Sequence, residues 1–159
     1  RNADIRVYTY SMIGLPYEGM PEILDTIKLN ALLHPNITQA SIFYPYRGTK
    51  LFDVCQQNSL LTDKDVRDYF KDTVLAFNPL ARQQILFSTL YFPLLVRVYV
   101  GLFRLPKRTG LAIIRVIDAI LMSKATALLA FLPLIKLGSF VIQHELLLKC
   151  ARVLKRRFL

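Results

Sequence analysis

The chain has 159 residues, is 53% hydrophobic with a mean hydropathy of +0.35, and carries a formal net charge of +10. That composition excludes a disordered chain, and the length allows one domain with a sizeable core or part of a larger one. Cys55 and Cys150 lie far apart with only His34 and His144 to help, which excludes a local four-ligand zinc site and leaves two free thiols in a reducing compartment.

The charge is unevenly placed. Residues 1–78 hold eight Lys or Arg and nine Asp or Glu, a net of −1, whereas residues 79–159 hold thirteen and two, a net of +11. The chain therefore divides into halves of different character.

From Ile5 to Ile13 the sequence is rich in β-branched and aromatic residues and reads as a strand. A strand so close to Arg1, with no charged-then-apolar leader, predicts a piece of a longer protein. Gly19 and Pro21 supply start signals for a helix over about Pro21 to Leu33. Its apolar positions are Ile23, Leu24, Ile27, Ala31 and Leu32, with Glu22, Asp25 and Lys28 for the wet side. His34-Pro35-Asn36 stops it, and a second strand runs from Ile37 to Pro45. A turn at Arg47-Gly48-Thr49 leads into a short helix from Leu51 to about Asn58. Strand, helix, strand, helix with short connections predicts α/β units around a parallel sheet. Two such strands leave an edge and both faces to be covered, so further strands are expected upstream.

Thr62 and Asp65 offer a helix cap, with Val66, Tyr69, Phe70 and Val74 along one face of the helix that follows. Asn78 and Pro79 start the next helix as cap and first residue. Everything beyond reads as helix: about 79–104 with a kink at Pro93, about 108–123, and about 125–157 with a kink at Pro133.

In parallel α/β folds the site lies at the carboxyl ends of the strands. Gly14-Leu15-Pro16-Tyr17-Glu18 and Tyr44-Pro45-Tyr46-Arg47-Gly48-Thr49 occupy those positions. Glycine there lets a ligand approach the backbone and proline fixes the turn, although both stretches are also ordinary βα turns.

These two stretches, with the helix between them, resemble the C-terminal part of radical S-adenosylmethionine enzymes, especially the class preceded by a cobalamin-binding domain. In that family the strands end in Gly-Leu-Pro-Gly-Glu-Thr and Pro-Tyr-Pro-Gly-Thr. The likeness spans roughly residues 5–75. It implies the last βα units of a partial (β/α) TIM-like barrel over 1–60, followed by an all-helical C-terminal tail over 61–159.

The resemblance further implies S-adenosylmethionine and a 4Fe-4S cluster as cofactors, with cobalamin compatible. The cluster's Cys-x-x-x-Cys-x-x-Cys is absent here, so the chain alone is expected to be inactive. The expected partners are the N-terminal barrel half of the same polypeptide and a reductant such as a flavodoxin or ferredoxin.

Carried over position by position, Met12 takes the place of the family's apolar residue against the adenine, and Gly14 that of the final strand glycine. Pro16 shapes the turn. Glu18 matches the acidic position, as ligand or as brace. Phe43, Tyr44 and Pro45 would close the adenine or substrate side. Tyr10 and Tyr17 stand where the family has glycine, and Arg47 where it has proline; that guanidinium is placed to meet a carboxylate or phosphate, or simply to be solvated.

Residues 85–103 and 125–142 are long enough to suggest membrane spans. The first has twelve Leu, Ile, Phe or Val residues, worth about −4 to −7 kcal/mol on the insertion scale, against about 2.5–3.5 for Arg97 and more for Tyr, Pro and Gly. The second, with ten against Lys136, is tighter still. Between them Arg115 and Asp118 stand three apart on a helix face. Marginal insertion beside many cations suits helices lying on an anionic membrane surface, and the closing "KCARVLKRRFL" fits. The alternatives are a helical cap on the missing barrel, true spanning, and nucleic-acid binding; the last is disfavoured because the cations are diluted in aliphatic sequence. Together these features predict a cytoplasmic enzyme peripheral to the membrane, with a lipid-like substrate, or else a membrane-binding helical module on a non-catalytic α/β scaffold.

Overall fold

The computed structural model describes residues 5–62 and 72–124. Its elements run β1 (Tyr8–Ile13), α1 (Met20–Leu33), β2 (Ile37–Ile42), α2 (Lys50–Gln57), α3 (Pro79–Leu102) and α4 (Lys107–Met122). The expected helix over 125–157, the basic C-terminal stretch, Cys150 and most of the helix after Asp65 lie outside the described residues.

β1 and β2 pair in parallel, in a register running from Tyr8 opposite Ile37 to Ile13 opposite Ile42. Both strands are shorter than the sequence suggests. At the start, Asn36 takes over: its Oδ1 accepts from Val7 N–H at 2.8 Å, so Ile5 to Val7 stay outside the ladder. At the end, Phe43 N–H still donates to Ile13 O, but the chain then turns away at Gly14, whose φ is +81°.

One sheet face, carrying Ile13, Ala40 and Ile42, is buried against α1 and α3. The other carries Tyr8, Tyr10, Met12 and Gln39 and is open, Tyr10 being 77% exposed. Alternation along the strands creates this asymmetry, because neighbouring side chains point to opposite faces.

Gly19 caps α1, its N–H donating to Glu22 Oε2 at 2.9 Å, and His34 ends the helix in the left-handed region just before Pro35. Ile23, Leu24, Ile27 and Ala31 face the core as expected. Leu32 does not; it is 62% exposed, and Asn30 takes the inward position instead. The Asn30 amide is satisfied by Ser11 Oγ at 3.0 Å and Thr26 O at 2.9 Å, which removes the cost of burying it.

Asn78 caps α3 through its side-chain oxygen on Ala81 N–H at 2.8 Å, and the helix continues through Pro93. It is the central core element, burying Ile85, Phe87, Tyr91, Phe92, Val96 and Tyr99. Its length and hydropathy meet the test for a membrane span, but half of that window is buried inside the fold. The same core joins residues from both sides of position 60.

Two side chains make contacts that the sequence does not announce. The Thr62 hydroxyl donates to Val74 O at 2.9 Å, in the segment where Leu61 and Leu75 form an antiparallel bridge, and the start of the helix it is expected to cap lies outside the described residues. Val74 accordingly sits in a bend rather than on a helix face. Asp118 turns away from Arg115 and bonds Lys28 Nζ at 2.7 Å and the Tyr99 hydroxyl, tying α4 to α1 and α3. Lys28 is thereby drawn off the wet side of α1, and Arg115 is left exposed.

Candidate functional site

The parallel unit brings the two motif loops to the same end of the sheet. Ile13 O accepts from Phe43 N–H at 2.7 Å, which fixes the start of one loop against the start of the other. Within the first, Leu15 O accepts from Glu18 N–H at 3.1 Å, closing a turn with Pro16 and Tyr17 at its centre. Tyr17 has φ +66°, the conformation such a turn requires at its third residue and one that glycine adopts most readily. The position where the resemblance expects glycine thus keeps a glycine-like backbone while carrying a tyrosine, 72% exposed. Replacing Tyr17 by glycine is expected to stabilise the protein by up to about 1 kcal/mol. Relief of a left-handed cost of about 1–2 kcal/mol is partly offset by glycine's chain entropy of about 0.5–1 kcal/mol. A urea midpoint below that of the wild type would show that the tyrosine side chain holds the loop by its contacts.

Glu18 braces this loop. Its Oε2 accepts from Gly14 N–H and from Leu15 N–H, the latter at 3.0 Å. Burial raises its carboxyl above the ordinary value, opposed by those two N–H groups and assisted by nearby Glu22. The proton therefore favours the folded state, so the stabilisation it brings is complete below the ordinary carboxylate range and is lost as pH rises through the raised value. Two outcomes are expected in urea titrations. Glu18→Ala costs about 1–3 kcal/mol by leaving two backbone donors without their acceptor. Glu18→Gln keeps an acceptor and matches or exceeds the wild type at pH 7, while the wild type gains on it as the pH falls towards 4. A wild type that loses ground to Glu18→Gln on acidification would contradict this assignment.

Gly14 is buried, and a Cβ built on it would meet Ile85 Cγ2 at 3.3 Å and Ile42 Cγ2 at 3.7 Å. The backbone approach that glycine permits on that side is made by α3, a contact with no local signal in the sequence. Met12 lies on the open sheet face, 49% exposed and opposite Ser41.

In the second loop Phe43 is 4% exposed and packs with Cys55 and Leu75, so its ring belongs to a small satellite core. Burial also raises the Cys55 thiol, which keeps it protonated and unreactive. Pro45 is buried, Tyr44 half-buried, and the Tyr44 ring lies 5.3 Å from that of exposed Tyr46. Arg47 is exposed. The unit therefore offers Met12, Tyr17, Tyr44 and Tyr46 to a ligand, while Gly14, Pro16 and Glu18 shape the backbone.

No group of three or more His, Cys, Asp or Glu able to hold a metal occurs among the described residues. A cavity of about 230 Å³ lies towards the opposite end of the sheet, lined by His34, Ile37, Thr38, Arg97 and Arg104 among others, and none of the seven candidate residues borders it. No family profile, curated protein or solved structure matches this chain.

Proposed function

We propose that the chain is the C-terminal part of a radical S-adenosylmethionine enzyme, contributing the last βα units of a partial barrel to a site completed elsewhere. The observation that carries the reading is the parallel β1–α1–β2 unit, which sets both motif loops at one end of a sheet whose other face is bare. Tyr8, Tyr10 and Met12 on that face are apolar enough to need cover, which further strands and a bound ligand would supply.

In this reading Met12 offers an apolar surface to the adenine, and the Glu18-braced turn holds Gly14 in place at the strand end. Tyr44 and Tyr46 flank the mouth. The bound S-adenosylmethionine and cluster supply the radical chemistry, and this chain orients and shields. The substrate class is lipid-like if the basic helices hold the enzyme at a membrane.

The test is to extend the reading frame upstream of Arg1, express it anaerobically and reconstitute it with iron and sulfide. A Cys-x-x-x-Cys-x-x-Cys some 100–150 residues upstream, within the span of an ordinary domain, with cluster absorbance and release of 5′-deoxyadenosine, is the expected result. A frame without that triad removes the radical chemistry. A second reading, a membrane-binding helical module on a non-catalytic α/β scaffold, is favoured by the outer face of α4.

A further inference from the structure

α4 carries one broad apolar arc, and among the described residues only part of it is covered. Ile114 and Leu121 face the core with Gly110, where a Cβ would stand 3.0 Å from Leu102 O, so the helix is seated tightly on the end of α3. About 100° round the helix from them, Ile113, Val116 and Ile120 follow a three- and four-residue spacing and are 40%, 58% and 43% exposed. Core packing uses only the first half of the arc, and the described residues leave this second half largely exposed.

The charges around this stripe are of one sign. Arg97, Arg104, Lys107, Arg108, Arg115 and Lys124 make no ion pair among the described residues. The one acid between residues 79 and 124, Asp118, is turned inward to Lys28 and Tyr99. Lys107 and Arg108 also occupy the first turn of α4, where no acid and no side-chain cap offsets the helix dipole. The field over the outer face is therefore positive.

We propose that the outer face of α4 docks on an anionic lipid surface. Ile113, Val116 and Ile120 enter the acyl boundary, and Arg108 and Arg115 reach from its flank to lipid phosphates. A second copy of the chain is a poorer occupant, because it brings the same cations to the same contact. The inference rests on the membrane reading and deepens it by naming the surface and the lipid chemistry. It is independent of the radical chemistry.

The full chain lacks tryptophan, so Val116→Trp gives a unique reporter on the stripe and Asp25→Trp one on the exposed side of α1. With phosphatidylglycerol–phosphatidylcholine vesicles, Val116→Trp emission is expected to shift to the blue and to be quenched by brominated acyl chains, while Asp25→Trp stays unmoved. In co-sedimentation, Arg104→Gln, Arg108→Gln and Arg115→Gln combined are expected to weaken binding about 100-fold, or roughly fivefold per cation. Circular dichroism checks that these exposed substitutions leave the fold intact. Vesicle binding with unmoved Val116→Trp emission and unaffected by the triple substitution overturns the α4 assignment but leaves the membrane reading standing. No binding to anionic vesicles, or binding to single-stranded RNA instead, overturns both.

Discussion

Substituting valine for Gly14 is expected to cost about 2–5 kcal/mol, the largest effect of any single change in the loop region. Two costs combine. Gly14 holds φ at +81°, which costs an ordinary L-residue about 1–2 kcal/mol and is worst for a β-branched one. The added atoms also meet Ile85 and Ile42 within 3.3–3.7 Å, and overpacking a filled site costs about 1–3 kcal/mol. Gly48 separates these contributions. Its φ is +84°, and nothing lies within 4 Å of where its Cβ would be. Gly48→Ala therefore measures the backbone cost alone, and Gly14→Ala exceeds it by the contact with α3. In a cycle with Ile85→Ala, that excess disappears when the isoleucine is already gone. Equal urea midpoints for Gly14→Ala and Gly48→Ala would show that Ile85 gives way, and the seat of α3 on the strand end would be loose.

How far the sequence disclosed this arrangement depends on the range of the cause. The starts and stops of α1, α3 and α4 were legible to within a residue or two, because Gly19, Pro21, Pro35, Asn78 and Pro79 act on the backbone beside them. The strands were legible in type but too long at their ends. Their limits are set by Asn36 bonding Val7 and by the turn at Gly14, neither of which shows in β-propensity. Asn30 reads as a surface residue by type; only the facing Ser11 hydroxyl, nineteen positions away, makes its burial tolerable.

The candidate site shows the same division. Glu18 was visible as an acid in the turn, but its role as a brace follows from the two N–H groups it accepts. Phe43 was read as a wall of the pocket, whereas its ring is held by Cys55 and Leu75 from segments that come later in the chain. Ile85 was legible as an apolar helix residue, but its contact with Gly14 was not. Its partner Gly14 is seventy-one positions away, and helical periodicity shows which face of α3 is apolar, not what lies against it.

Asp118→Ala is expected to cost about 2–4 kcal/mol and to release α4 from α1. The carboxylate accepts from the Tyr99 hydroxyl through one oxygen and from Lys28 Nζ through the other, at 2.7 Å. Tyr99 has no exposed surface, so its hydroxyl has no water to turn to. Lys28, with a quarter of its side chain exposed and its ammonium 5.9 Å from the centre of the Tyr99 ring, keeps part of its solvation. The loss therefore falls below the 3–5 kcal/mol typical of breaking a fully buried pair. Asp118→Asn keeps an acceptor for the phenol and is expected to lose about half as much. If the pair acts as one unit, Tyr99→Phe combined with Asp118→Ala costs less than the two single changes added. Burial first and Asp118 second push the Tyr99 hydroxyl well above its ordinary value. The phenol's contribution to stability is thus intact below about pH 10 and is lost only as pH rises through the raised value. In an alkaline absorbance titration Tyr99 should stay protonated until the protein unfolds, and in Asp118→Asn its titration should move down towards that of an ordinary buried tyrosine. A Tyr99 that ionises with the exposed tyrosines in the folded wild type would mean that the α1–α3–α4 junction is open to water, and that α4 is not anchored as the ion pair requires.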